Sequence, residues 1–166
     1  MRLFVAVRPP DDVVELIANL PRRDDTPARW TTRHQWHVTL RFFGNVDDPV
    51  PIIDALDALR ANLAPAEVTL GPRAGVLGHQ VVYLPVAGLD TLATAVIDAT
   101  RTFGDPPQAR RFKGHLTLAR TKGSLVDRSA LDLSAAWTVD RIELIRSHLG
   151  RGPATYETLA SFSLDG

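Results

Sequence analysis

The sequence predicts an α+β fold, with antiparallel sheets covered by helices on one side. Three observations predict it. Short stretches of β-favourable residues recur in adjacent pairs, as hairpin-connected strands do. Three stretches with apolar residues at helical spacing interrupt them. One strand pattern, His-apolar-Thr-Leu, occurs twice, at His37-Val38-Thr39-Leu40 and at His115-Leu116-Thr117-Leu118, 78 residues apart, which divides the chain into two lobes.

The elements follow in order. Residues 2–8 alternate as a strand. The turn Pro9-Pro10-Asp11-Asp12 opens a helix over 11–20, with Val13, Val14, Ile17 and Leu20 on one face and acids in the first turn. Residues 21–28 form a polar loop, a short strand follows at 29–32, and a firmer one at 36–42 ends at Gly44-Asn45. A helix at 49–63 carries Pro51 near its start, where proline is tolerated. Strands at 66–76 and 79–86 are joined near Leu77-Gly78, and a third helix at 88–103 stops at Gly104-Asp105-Pro106-Pro107. A strand at 114–120, a helical turn at 126–131 and two long strands at 137–149 and 154–164, joined across Gly150-Arg151-Gly152-Pro153, complete the chain. No low-complexity tract or change of composition marks a linker, so residues 1–166 read as one domain of two intertwined lobes.

Composition narrows the function. With 45% hydrophobic residues the chain can bury a core, and with no cysteine it has no disulfide, thiolate nucleophile or sulfur-ligated zinc. The apolar run at the start is too short for a signal peptide, and no stretch reaches eighteen apolar residues; a cytoplasmic protein with no membrane partner is expected. Lys plus Arg and Asp plus Glu balance at 19 each, which disfavours extended duplex binding but allows a local anion pocket. Residues 110–122 hold Arg110, Arg111, Lys113, Arg120 and Lys122 with no acid among them, while acids gather at Asp11-Asp12, Asp24-Asp25 and Asp47-Asp48. Neutral charge and the lack of an obvious apolar patch make a monomer the expected state.

The repeated motif carries the chemistry. On a strand, residues i and i+2 share a face, so His37 joins Thr39 and His115 joins Thr117, opposite the apolar Val38, Leu40, Leu116 and Leu118. Two such strands side by side bring two imidazoles and two hydroxyls to one groove. Two histidines supply the general base and general acid of a metal-independent phosphoryl displacement, and threonine hydroxyls donate to its non-bridging oxygens. His34, His79 and His148 read as structural or exposed, and no acid-rich ligand cluster accompanies them; no metal is expected.

Four blocks in order are similar to a known family: Arg2-Leu3-Phe4-Val5-Ala6-Val7; Arg29-Trp30 with His37-Val38-Thr39-Leu40-Arg41-Phe42-Phe43-Gly44; Arg111-Phe112-Lys113-Gly114-His115-Leu116-Thr117-Leu118-Ala119-Arg120; and Ile142-Glu143-Leu144 through Tyr156-Glu157-Thr158-Leu159 to Phe162. Nearly end to end, the chain resembles the 2H phosphoesterase superfamily and, within it, the LigT-like RNA 2′,3′-cyclic phosphodiesterases once called 2′-5′ RNA ligases. The resemblance implies a bilobal fold with pseudo-twofold related lobes, helices outside and a groove between them. It also implies hydrolysis of 2′,3′-cyclic phosphates, on RNA ends or nucleosides, to 2′-phosphomonoesters without a cofactor. By that analogy His115 is the general base, His37 the proton donor (the roles can be exchanged), and Thr39 and Thr117 hold phosphate oxygens. Arg120 takes the place of a family arginine that contacts phosphate or nucleotide; strict alternation points it away from His115, so a bulge or strand end is required. Arg41 has the parity to share the His37 face and bind substrate. Phe42, Phe43 and Phe112 are expected in the core, with base stacking as the alternative, and Tyr156 is expected to be structural. Gly114 stands where the family usually has proline, which relaxes the entry to the strand. Two other readings keep the groove: a 2′-5′ RNA ligase or 2′-5′ phosphodiesterase, and a non-catalytic nucleotide- or RNA-binding module.

Overall fold

The computed structural model describes residues 1–22, 27–122 and 126–166; part of the expected polar loop, with Asp24 and Asp25, lies outside them. The strands are β1 (Arg2–Val7), β2 (Arg29–Trp30), β3 (Val38–Asn45), β4 (Ala66–Leu70), β5 (Gly75–Leu77), β6 (Val81–Ala87), β7 (His115–Arg120), β8 (Ala135–Val139), β9 (Arg141–His148) and β10 (Thr155–Ser163). The helices are α1 (Asp11–Ala18), α2 (Val50–Arg60) and α3 (Asp90–Ala99), with one 3₁₀ turn at Arg33–Gln35. None of these helices is long and apolar enough to cross a membrane.

The strands pair antiparallel in the order β10-β9-β1-β3-β7-β6-β4-β8, with β2 added to β7 and β5 to β6. The order is symmetric about its middle: β3, β1, β9 and β10 run outward on one side, and β7, β6, β4 and β8 on the other. The two halves meet through β3 and β7, paired only at Val38 and Leu116. This is the α+β, two-lobed architecture read from the sequence.

Apolar spacing accounts for the core. Val13 and Ile17 on α1, Ile52 and Leu56 on α2, and Leu92, Ala93 and Val96 on α3 are the buried helix faces. Val38, Leu40, Leu116 and Leu118, the apolar members of the two motifs, lie in the same core and are at most 3% exposed. Burying a side chain of this size stabilises the fold by about 1.5–3 kcal/mol, so the layer beneath the motifs is held firmly.

Three expected elements differ. The strand over 66–76 is broken at Gly71, whose φ is +93° and whose Cβ position would lie 1.7 Å from the Leu133 carbonyl oxygen; β4 ends there and β5 turns back to pair with β6. The strand over 137–149 is two strands, because the chain changes lobe at Asp140: β8 pairs with β4 and β9 with β1. The helical turn at 126–131 is no helix among its described residues; a single turn closes Leu131 N–H onto the Arg128 carbonyl at 3.0 Å.

Candidate active site

The approach to β3 is tied to the opposite lobe before His37 is reached. Trp36, fully buried, donates its Nε1–H to Thr31 Oγ1 at 3.0 Å. Thr31 in turn donates its backbone N–H to the Leu118 carbonyl at 2.9 Å, and its hydroxyl lies 2.8 Å from the Thr117 carbonyl and 2.9 Å from that of Leu118. Gln35 accepts from Thr32 N–H at 3.1 Å and donates to the Ala154 carbonyl at 2.9 Å, joining the 3₁₀ turn to the β9–β10 connection.

His37 and His115 are then held alike. His37 Nδ1 lies 2.7 Å from the Gln35 carbonyl oxygen, and His115 Nδ1 lies 2.8 Å from that of Lys113. A carbonyl oxygen only accepts, so each Nδ1 carries its proton; in the neutral ring the Nε2 lone pair is left free for proton transfer. Both rings, with Thr39, Thr117, Arg120 and Tyr156, line a cleft of about 330 Å³.

Their surroundings differ. His37 packs on Phe4, with ring centroids 4.9 Å apart, and meets Tyr156 edge-on at 5.1 Å, while Phe4 and Tyr156 also touch each other edge-on at 5.3 Å. Burial lowers the His37 pKa to about 4, against the raising effect of the Gln35 carbonyl; the charges of Arg8, His115 and Arg120 lower it further. His115 has one aromatic neighbour, Tyr83, edge-on at 5.7 Å.

Each strand slips register directly after its threonine. In β3, Thr39 faces Ala6 and Arg41 faces Val5, leaving Leu40 without a partner on β1. In β7, Thr117 faces Tyr83 and Ala119 faces Val82, leaving Leu118 without one on β6. The extra residue reverses alternation. Arg120 is thereby brought onto the cleft with His115 and Thr117, as its expected role requires.

The same slip overturns the parity expectation for Arg41. Its side chain runs away from His37 into the interior, 4% exposed, donating to the carbonyls of Ile97 at 3.0 Å and Phe103 at 2.8 Å, with Asp105 at 3.3 Å, and lying over the Phe43 ring at 4.8 Å. It is absent from the first cleft. Phe42 takes the cleft-facing place instead; it is 37% exposed, under the Arg2 guanidinium at 4.5 Å, and so is not the core residue expected of it. Phe43 is core, and Phe112 is half-buried against it. The other histidines lie outside the cleft; His148, for example, pairs with Glu157 at 2.7 Å. Among the described residues, no three His, Asp or Glu side chains converge as metal ligands would.

The family model described as the 2′-5′ RNA ligase superfamily matches residues 9–151. The chain belongs to that superfamily. Among solved structures, TT0787 of Thermus thermophilus is 28% identical, with a TM-score of 0.88 over 100% of this chain and 99% of that one. Escherichia coli LigT complexed with NADP⁺ is 25% identical, with a TM-score of 0.80 over 99% of this chain and 98% of LigT. LigT complexed with 3′-AMP gives 26% identity and a TM-score of 0.72 over the same shares. Among curated proteins, none matches the chain.

Membership of the 2′-5′ RNA ligase superfamily bears out the resemblance at that level. Gly114 has a reason the sequence does not reveal. A Cβ there would lie 2.4 Å from the Val86 carbonyl oxygen, while Val86 N–H donates to the Gly114 carbonyl at 3.0 Å. Close approach of two backbones, rather than freedom at the strand entry, selects glycine beside His115. Sequence reasoning also missed Arg2, Thr31 and Gln35 as cleft residues. Arg2 was open to discovery, since it shares β1 parity with Phe4; Thr31 acts through contacts between lobes and Gln35 through one with the β9–β10 connection, and neither leaves a periodic trace.

Proposed function

We propose that this chain is an RNA 2′,3′-cyclic phosphodiesterase that hydrolyses terminal cyclic phosphates to 2′-phosphomonoesters. The observation that carries this reading is the pair of histidines with Nδ1 pinned by a backbone carbonyl and Nε2 free, each at the start of one of two strands that join at one residue pair. One Nε2 takes a proton from water as its oxygen attacks phosphorus; the other gives a proton to the departing 3′-oxygen. Water is consumed, the P–O3′ bond breaks, and the phosphate remains on O2′. Both proton transfers are assigned to imidazoles, so no step calls for a metal.

Burial favours an order of roles opposite to that implied by the resemblance. His37 enters the reaction neutral, which suits the base and leaves the donor's part to His115. Thr39 and Thr117 donate to the non-bridging oxygens, and Arg120 offsets their charge. Arg2 over Phe42 provides a flat face for a nucleobase, and the complexes of LigT with NADP⁺ and 3′-AMP support a nucleotide as the class of ligand.

Incubating a nucleoside 2′,3′-cyclic phosphate with the protein in EDTA tests the proposal. The 2′-phosphate alone is expected; a 3′-phosphate product, or activity that vanishes on chelation, contradicts it. The superfamily name favours one other reading, cleavage or formation of 2′-5′ linkages at the same residues. Turnover of a 2′-5′-linked dinucleotide in preference to the cyclic nucleotide would select it.

A further inference from the structure

A second cavity, of about 420 Å³, opens beside the first and shares Thr39, Phe42 and His115 with it. The two cavities thus adjoin at these three residues, one of them the motif histidine His115. The chain leading into β7 forms much of its wall, including Arg110, Arg111, Phe112 and Lys113.

Its charge is one-sided. Among the described residues, Arg110, Arg111 and Lys113 are exposed and take part in no ion pair. Arg110 commits only Nε, to Gln108 at 2.7 Å, leaving its two terminal nitrogens to donate elsewhere. Arg41 adds a buried guanidinium whose partners are carbonyls rather than carboxylates and whose Nε has none. One acid, Asp105, lines the cavity, and its carboxylate is turned onto the backbone of Gly44, filling the space a Cβ there would need. Four cations thus face one carboxylate in a chain whose overall charge is zero.

We infer that this cavity holds the phosphodiester immediately 5′ of the terminal nucleotide, so that the substrate is the end of an RNA strand rather than a free cyclic mononucleotide. The inference rests on the reaction proposed above and names its substrate class. An uncompensated cluster of cations attracts phosphate and releases its counterions, so the contribution is dependent on salt. Leu77, Ile97 and Phe112 offer apolar surface to the sugar of the same nucleotide.

The test compares a trinucleotide ending in a 2′,3′-cyclic phosphate with the cyclic mononucleotide, at about 50 and 200 mM salt, a range over which phosphate contacts weaken measurably. The trinucleotide is expected to show at least a tenfold higher kcat/KM, through KM, with the advantage shrinking at the higher salt. In the double variant Arg110→Gln, Arg111→Gln the advantage is expected to fall to within about twofold, while mononucleotide kinetics and melting temperature hold. No advantage in the parent protein, or an equal loss on both substrates in the variant, overturns the inference. Should the parent protein hydrolyse neither substrate, the proposed reaction fails, and the subsite is read separately. A 5′-fluorescein trinucleotide with a 3′-phosphate is titrated by anisotropy: binding at least tenfold weaker in the double variant upholds the subsite, and equal binding overturns it.

Discussion

Phe42 and Arg120 occupy equivalent positions on the two central strands. Each stands three residues beyond the threonine of its motif, and each is turned into the cleft by a register slip at the intervening leucine, Leu40 or Leu118. The lobes thus present the same backbone device with different chemistry, an aromatic face on one side and a guanidinium on the other. Phe42→Ala is expected to raise KM for a nucleotide substrate by about tenfold with kcat nearly kept, as loss of base stacking does. Arg120→Ala is expected to lower kcat as well, by about 10²-fold, because its charge matters most as the phosphate oxygens gain charge. Steady-state kinetics of the two variants separate them, and identical profiles would contradict the distinction.

The histidines supply the sharpest expectation. His37→Ala and His115→Ala are each expected to lower kcat by about 10²–10⁴-fold with circular dichroism unchanged. Activity surviving in either variant would remove that residue from the reaction.

The enclosure of His37 gives the pH dependence a sign. Its folded pKa is about 4, below the ordinary 6.5, so between those values the unfolded chain binds the extra proton and the folded one does not. The stability it contributes is complete above pH 6.5 and is lost as pH falls through about 4. If His37 is the base, kcat/KM also falls as pH drops through about 4; if it were the donor, kcat/KM would already decline tenfold per unit above that pH. Tyr156→Ala opens the enclosure and is expected to move the His37 titration, followed by NMR, toward 6.5. An unmoved titration would show that the ring is not what shields it.

Arg41 is expected to be a stability residue. Arg41→Leu leaves the carbonyls of Ile97, Phe103 and Asp105 without their donor and is expected to cost about 2–4 kcal/mol. Denaturant melts measure the loss, while KM for a cyclic mononucleotide stays within about twofold.

Gly114→Ala drives a methyl group against the Val86 carbonyl oxygen. It is expected to cost about 1–3 kcal/mol and to lower kcat by displacing His115, whereas the same change at Gly150, where a Cβ meets nothing within 4 Å, is expected to do neither.

Much of this molecule is legible in its residues, and what is not has a physical cause. Parity placed His37 with Thr39 and His115 with Thr117 on one cleft, because two residues of regular alternation suffice for each pair. Parity failed one step later, at Arg41 and Phe42, because a bulge depends on which neighbour the strand meets and not on its own composition. The lobe change at Asp140 was hidden for a related reason: both flanking stretches are good strands, and only their partners differ. The low pKa of His37 comes from burial, and the rings packed on it, Phe4 and Tyr156, stand 33 positions before and 119 after it in the sequence.

The crossing at Asp140 also orders events during synthesis. β1 finds one neighbour in β3 soon after translation, but Arg2 pairs with Ser147 on its other side, and β10 closes that edge later still. The strands of the lobe bearing His37 thus flank those of the other lobe in the sequence. The outer β1 edge has no partner until β9 is made, so an apolar strand waits unpaired on that side while the strands of the other lobe are synthesised. Pairings of such sequence separation are slow to form, which puts the closing of this half late in folding.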